Sequence, residues 1–139
     1  MITVKRLSLE DARAMIAGAT AKAREMGIPM CIAVVDEAGQ LIAFEKMDGG
    51  KPLSVRLSED KAMTAAISRR GTHEYNAECI PGQLVFGIQN AAGGRFSTVG
   101  GGMPVAVDGT VVGAIGLSGG KPAEDMACAE AGIAALKFS

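Results

Sequence analysis

Gly100-Gly101-Gly102-Met103-Pro104-Val105-Ala106-Val107-Asp108-Gly109-Thr110-Val111-Val112-Gly113-Ala114-Ile115-Gly116-Leu117-Ser118-Gly119-Gly120 decides how this chain folds. It reads as a glycine-rich turn, an apolar strand, a two-residue Asp108-Gly109 turn, a second apolar strand and a glycine pair. Asp-Gly between two apolar runs is the strongest short-range hairpin signal, because both central residues take positive φ. The flanking glycines leave backbone N–H groups open to close approach by a ligand, so the base of this hairpin is the first place to look for function.

Upstream, Met30 to Val35 reads as a strand, Asp36-Glu37-Ala38-Gly39 as its turn and Gln40 to Met47 as its partner, which makes a second hairpin. Before it, Ser8 and Asp11 form a capping box, and Leu9, Ala12, Ile16, Ala19, Ala23 and Met26 recur at helical spacing until Gly27 stops the run. Pro52 and Ser54 open a second helix that runs to about Arg69, with Ala62, Ala65 and Ala66 small enough to lie close against a sheet; Gly71 ends it. Thr72 to Ala92 is irregular, interrupted by Pro81, with short helical turns suggested by Leu84, Val85 and Ile88. Phe96 to Val99 predicts a short fifth strand. Pro122, followed by Met126, Ala129, Ile133 and Leu136 at helical spacing, predicts a C-terminal helix. Both hairpins run into Gly-Gly-Lys-Pro, at Gly49 to Pro52 and Gly119 to Pro122. A shared solution to a tight strand-to-helix turn accounts for this, with a repeated hairpin-turn-helix unit as the alternative. The order α, β-hairpin, α, irregular, β-hairpin, α predicts an α/β (α+β) domain: an antiparallel sheet flanked by helices.

The 139 residues make one domain, 1–139, and 48% hydrophobic content without a long apolar run predicts a soluble globular chain with no membrane span. The start, Met1-Ile2-Thr3-Val4-Lys5-Arg6, lacks the apolar region and cleavage site of a signal peptide, so the expected location is the cytoplasm. A net charge of -1 leaves no electrostatic footprint for nucleic acid or anionic lipid, and partners are expected to be small molecules or further copies of the chain. Cys31, Cys79 and Cys128 are odd in number with no C-x-x-C spacing, so they predict free thiols rather than a disulfide framework or a zinc site. Without Trp, and with 4% aromatics, the core falls to Ala, Gly, Val, Ile and Met, which demands close backbone approach.

Several segments carry a family resemblance: Val34-Val35-Asp36-Glu37-Ala38-Gly39, Phe44-Glu45-Lys46-Met47-Asp48-Gly49, Lys61-Ala62-Met63-Thr64-Ala65, Gly100 to Val105, Asp108-Gly109, Gly113 to Gly120, and Glu124-Asp125. In this order, over nearly the whole chain, they resemble the GlcG/HbpS family, whose domain also ends some PduO-type cobalamin adenosyltransferases. The resemblance implies a profilin-like α/β/α domain, a sheet of about five antiparallel strands with helices on both faces. It also implies a homo-oligomer of dimers assembled into a larger ring or octamer. Among such relatives some bind or degrade haem, some bind metal ions or cobalamin, and others belong to catabolic operons, so the fold is implied more narrowly than the function.

His73 is the only histidine, which excludes a multi-histidine metal site within one chain. A haem needs only one imidazole from the chain, and a symmetric oligomer supplies a second. Against this, Arg69-Arg70-Gly71-Thr72 reads as surface, and an exposed polar residue near a helix end is the plainer reading. The histidine that some haem-binding relatives carry in their first helix has no counterpart between Leu9 and Met26. Lys61 matches the family's recurring lysine; near a glycine-rich turn it would bind a carboxylate or stabilise an enolate, and otherwise it is a surface partner on a helix. Glu124 and Asp125 sit in the first turn of the last helix, where a carboxylate offsets the helix dipole by about 0.3–1 kcal/mol. With Asp48 or Glu45 they would instead make a divalent-metal cluster or a general base.

Gly100, Gly101 and Gly102 lack the spacing of a phosphate-binding P-loop, but with Arg95 they would hold a carboxylate; Met47 and Met103 would line an apolar pocket beside Asp48. There is no proline amine at the N-terminus. Two functions compete. One is a cytoplasmic binding protein for haem or another tetrapyrrole. The other is a small-metabolite isomerase, lyase or hydrolase using Lys61 with Glu124 or Asp125 in acid–base or metal-assisted chemistry. A third reading, an oligomer whose glycines serve packing alone, gains if Lys61, Arg95 and Glu124 do not converge.

Overall fold

The computed structural model describes residues 1–138. Helix α1 (Leu9–Met26) leads into strands β1 (Cys31–Asp36) and β2 (Leu41–Lys46) and then helix α2 (Pro52–Ser68). Two 3-10 turns (Thr72–Tyr75 and Ile88–Asn90) and a single helical turn α3 (Ala91–Gly94) punctuate the irregular segment. Strands β3 (Gly102–Val107) and β4 (Thr110–Ser118) and helix α4 (Pro122–Ala134) complete the chain. The sheet order is β2-β1-β4-β3 with every pairing antiparallel, so the two hairpins join through β1 and β4. Strand β3 forms one edge; it carries Pro104, and its register with β4 shifts between Val105 and Ala106.

Local chemistry sets these boundaries. Ser8 Oγ accepts from the Asp11 N–H at 3.1 Å while Asp11 Oδ2 accepts from the Ser8 N–H at 2.9 Å, closing the capping box of α1. Asp108 (φ 50) and Gly109 (φ 78) both adopt the left-handed conformation that the β3–β4 turn requires. At the other hairpin Asp36 Oδ1 accepts from the Ala38 and Gln40 N–H groups at 2.9 and 3.0 Å, so a side chain organises the turn.

Strand alternation divides the interior in two. Ile32, Val34, Ile115 and Leu117 meet Met15, Ile16 and Ala19 of α1 and Cys128 and Ala129 of α4. On the opposite face Ala33, Val35 and Ala114 meet Ala62, Ala65 and Ala66 of α2. This second layer is thin because Gly102 and Gly116 are register partners beneath α2. A Cβ on Gly116 would fall 2.1 Å from Ser58 O and 2.5 Å from Ala62 N, and one on Gly102 would fall 2.3 Å from Lys61 O. The helix backbone therefore rests directly on the strand backbone.

One expectation changes. Phe96 to Val99 is not a strand, so the sheet has four strands rather than about five. Threonine hydroxyls take the segment's backbone groups: Ser97 N–H donates to Thr64 Oγ1 at 2.9 Å, and Val99 O accepts from Thr72 Oγ1 at 2.6 Å. Phe96 packs edge-on against Tyr75, ring centroids 5.0 Å apart. The two Gly-Gly-Lys-Pro junctions send α2 and α4 to opposite faces of the sheet, which makes them a shared turn solution rather than a repeated unit.

Gly116→Ala forces α2 off the sheet at backbone atoms that have no rotamer to yield. Urea unfolding of this variant should show a loss of about 1–3 kcal/mol or more, read as a lower midpoint at unchanged slope.

Candidate functional site

Lys61 points inward from the middle of α2 and is 1% exposed; Asp125, in the first turn of α4 on the opposite layer, is 2% exposed. Lys61 Nζ donates to Asp125 Oδ2 at 3.0 Å and to Leu117 O at 2.9 Å. Asp125 Oδ1 accepts from the Gly120 N–H at 2.8 Å, so both carboxylate oxygens are engaged. Gly101 (φ 130) makes room for this contact. A Cβ there would lie 2.6 Å from Leu117 O, 2.9 Å from Lys61 Nζ and 3.0 Å from Asp125 Cβ. Burial pushes the Asp125 carboxyl above its ordinary range, opposed by the Lys61 charge and the Gly120 N–H. Glu124 faces elsewhere: its Oε1 accepts from the Lys121 N–H at 2.8 Å and caps α4.

Next to this pair lies the Gly100-Gly101-Gly102 run, which is buried. Thr72, fully buried, fixes it by accepting from the Gly102 N–H at 3.0 Å through the hydroxyl that also donates to Val99 O. His73 follows on the same 3-10 turn and is exposed, whereas Met103 of β3 and Met126 of α4 are half-buried. A Cβ on Gly71 would stand 2.7 Å from His73 Nδ1 and 3.4 Å from Met103 Sδ. One on Gly100 would stand 3.2 Å from His73 Cβ, 3.0 Å from Met126 Sδ and 3.4 Å from Pro122 Cβ. Glycine at 71 and 100 thus lets the His73, Met103 and Met126 side chains pack directly on bare backbone.

The remaining predicted residues lie apart. Arg95 Nε pairs with Asp60 Oδ1 at 2.8 Å beside a cavity of about 270 Å³ lined also by Glu59, Met63 and Ile67, away from the Lys61 ammonium. Met47 and Asp48 line another cavity, about 370 Å³, with Thr20, Arg24, Glu45 and Lys46; Met47 Sδ accepts from the Met30 N–H at 3.3 Å. Thr20 Oγ1 is buried there without a hydrogen-bond partner among the described residues. This cavity opens at the end of β2, three strands from β3 and so roughly 14 Å from the glycine run at about 4.8 Å per strand. Lys61, Arg95 and Glu124 therefore do not converge. Among the described residues no three His, Cys, Asp or Glu side chains gather to hold a metal ion, so the cluster of Glu124 or Asp125 with Asp48 or Glu45 does not form. Sequence reasoning missed Thr72 and Met126. Met126 was legible only as a core position of α4, because nothing local links it to a histidine 53 residues upstream.

Residues 7–134 match the family model described as haem degrading protein HbpS-like. The chain belongs to the HbpS-like family. It is 36% identical over 112 residues to protein GlcG of Escherichia coli strain K12, covering 81% of each chain. It is 35% identical over 130 residues to a 15.0 kDa protein from the dhaT-dhaS intergenic region of Citrobacter freundii, covering 94% of this chain and 92% of that one. The crystal structure of a PduOC:haem complex superposes with a TM-score of 0.90 at 30% identity, covering 94% of this HbpS-like chain and 95% of the other. Among the described residues no helix is long and apolar enough to cross a membrane.

Lys61→Met leaves Asp125 buried without its counter-ion and should cost about 3–5 kcal/mol in urea unfolding, whereas Lys61→Met with Asp125→Leu should recover part of that loss. Equal loss in the single and double variants would show that the two groups are not coupled.

Proposed function

We propose that this HbpS-like protein binds haem or a closely related tetrapyrrole, with His73 as axial ligand. The observation that carries this reading is the exposed imidazole and the two thioethers packed on bare glycine backbone. Haem iron takes an imidazole or thioether as axial ligand, and the macrocycle needs an apolar rim, so this donor set fits the group. Bound there, haem supplies redox and ligand-binding chemistry at iron. The chain's part is to present His73 on the Thr72-anchored turn and to keep Met103 and Met126 against the ring. The PduOC:haem relative, similar over nearly the whole chain, supports the same ligand class.

The acid–base reading gains no support from the geometry. The Lys61 ammonium and the Asp125 carboxylate are spent on each other in the interior, and Glu124 on a backbone N–H. Three free thiols suit the reducing cytoplasm.

The reading includes self-assembly. Ile80 (47% exposed), Leu84 (95%) and Phe86 (56%) form an apolar crest on the loop that follows the His73 turn. A second copy docked on this crest covers apolar surface and screens the open face of the haem site, the first step toward a ring or octamer of dimers.

In a haem titration followed by visible absorption, a saturable Soret band at one haem per chain or per dimer is expected, with His73→Ala shifting the band and weakening binding. A featureless titration, or an unchanged band in His73→Ala, overturns the assignment. Leu84→Glu with Phe86→Glu should lower the molar mass measured by light scattering; an unchanged mass would place the subunit contact on another surface.

A further inference from the structure

We propose that the cavity between α2 and the β2 margin binds a small aliphatic amino acid as its zwitterion, with Arg95 taking the carboxylate and Glu59 the ammonium. The site does not involve His73 and does not rest on the haem reading.

The packing of α2 leaves this space open. Its backbone rests on Gly116 of β4 and Gly102 of β3, and β2 lies two strands from β4, roughly 10 Å at about 4.8 Å per strand. The alanines that face the sheet from α2 are too short to reach that far. What remains is a cavity of about 270 Å³ bounded by Glu59, Met63 and Ile67 of α2, by Val35 and Leu41 of the first hairpin, and by Arg95. The three α2 residues recur at i, i+4 and i+8 and so share one face of the helix. The hairpin turn packs directly on that face: a Cβ on Gly39 would stand 2.9 Å from Ile67 Cγ2 and 3.1 Å from Met63 Cγ. Asp36 holds the same turn through the Ala38 and Gln40 N–H groups, so this wall is fixed before any ligand arrives.

Arg95 is held in place from two directions. Ala92 (φ 53), Gly93 (φ 68) and Gly94 (φ 84) adopt left-handed backbone in succession just before it, a conformation that costs free energy at Ala92 because that residue has a side chain. This run delivers Arg95 to α2, where Asp60 Oδ1 accepts from its Nε at 2.8 Å. The remaining guanidinium N–H groups are not spent on Asp60 and offer the planar fork that matches a carboxylate. Glu59 forms no ion pair among the described residues. With Arg95 balanced by Asp60, the lining therefore carries one uncompensated negative charge. A simple carboxylate would meet Arg95 but be repelled by Glu59, and a simple amine would suit Glu59 but leave the guanidinium fork unused. A molecule that carries both groups on one carbon satisfies both. Buried Val35 and Met63, with the exposed Leu41 and Ile67, give its side chain an aliphatic wall. The volume falls below the range of about 300–1,000 Å³ that drug-sized ligands occupy, which restricts that side chain to a few carbons.

The test uses the full chain with methionine methyl groups carrying carbon-13, followed by NMR. It is titrated with L-valine, with isovalerate, which lacks the ammonium, and with isobutylamine, which lacks the carboxylate. L-Valine should saturate at one per chain and shift the Met63 signal selectively among the eight methionines. Each analogue should bind about tenfold or more weakly, and Arg95→Gln should weaken valine binding by a similar factor. Glu59→Gln should weaken valine binding and strengthen isovalerate binding, a reversal of preference that lost packing alone would not produce. His73→Ala should leave valine binding unchanged, so a failed haem titration and a failed valine titration are separate results. A Met63 signal that stays still at millimolar L-valine, shifts spread over the other methionines, equal affinity for either analogue, undiminished binding in Arg95→Gln, or an unaltered preference in Glu59→Gln would each overturn the proposal.

Discussion

The contact between Lys61 and Asp125 holds together parts of the molecule that otherwise meet only through the sheet. One partner belongs to the α2 layer and the other to the α4 layer, and the ammonium also takes the Leu117 carbonyl at the end of β4. Both charges are removed from water, so neither tolerates the loss of the other. The pair requires a glycine at position 101, because any side chain there would collide with Leu117 O and the Lys61 ammonium. The glycine at the centre of the buried Gly100-Gly101-Gly102 run thus follows from a constraint set in the interior. A lysine that invites a catalytic reading is the peg on which that run is hung.

The sequence exposed some of this clearly and hid the rest for identifiable reasons. Both hairpins, the capping box at Ser8 and Asp11, the stop at Gly27 and the helix start at Pro122 are written in local chemistry, and local chemistry decided them. Phe96 to Val99 was read as a strand because its composition suits one. The hydroxyls that hold it instead belong to Thr64 and Thr72, which a local pattern cannot place. The candidate site was legible residue by residue but not as a grouping. His73, Met103, Lys61 and Asp125 stood out as types, whereas the pairing of Lys61 with Asp125 spans 64 positions and depends on two helices on opposite faces. Arg95 and Asp48, adjacent to glycine runs in sequence, are carried off by Asp60 and by the β2 end of the sheet.

The layers also divide labour. The α1 and α4 face carries the larger side chains and the main apolar core, while the α2 face is built from alanines and glycines and gives precision of approach instead of volume. The thin layer brings the Lys61 side chain close enough to reach past the strand ends. The irregular segment after α2 is free of sheet duties and carries the exposed His73 imidazole and the exposed apolar side chains of Ile80, Leu84 and Phe86.

Pro104 and the register shift beside it bear on how copies of the chain can combine. An edge strand normally offers a row of N–H and C=O groups to any passing strand. On β3 that row is broken by the imino acid, and the shift between Val105 and Ala106 bends what remains. Continuous cross-subunit strand addition is thereby discouraged along the β3 margin. The β2 margin, Leu41–Lys46, has no such interruption by proline, and its guard against unwanted growth is the charged pair Glu45 and Lys46.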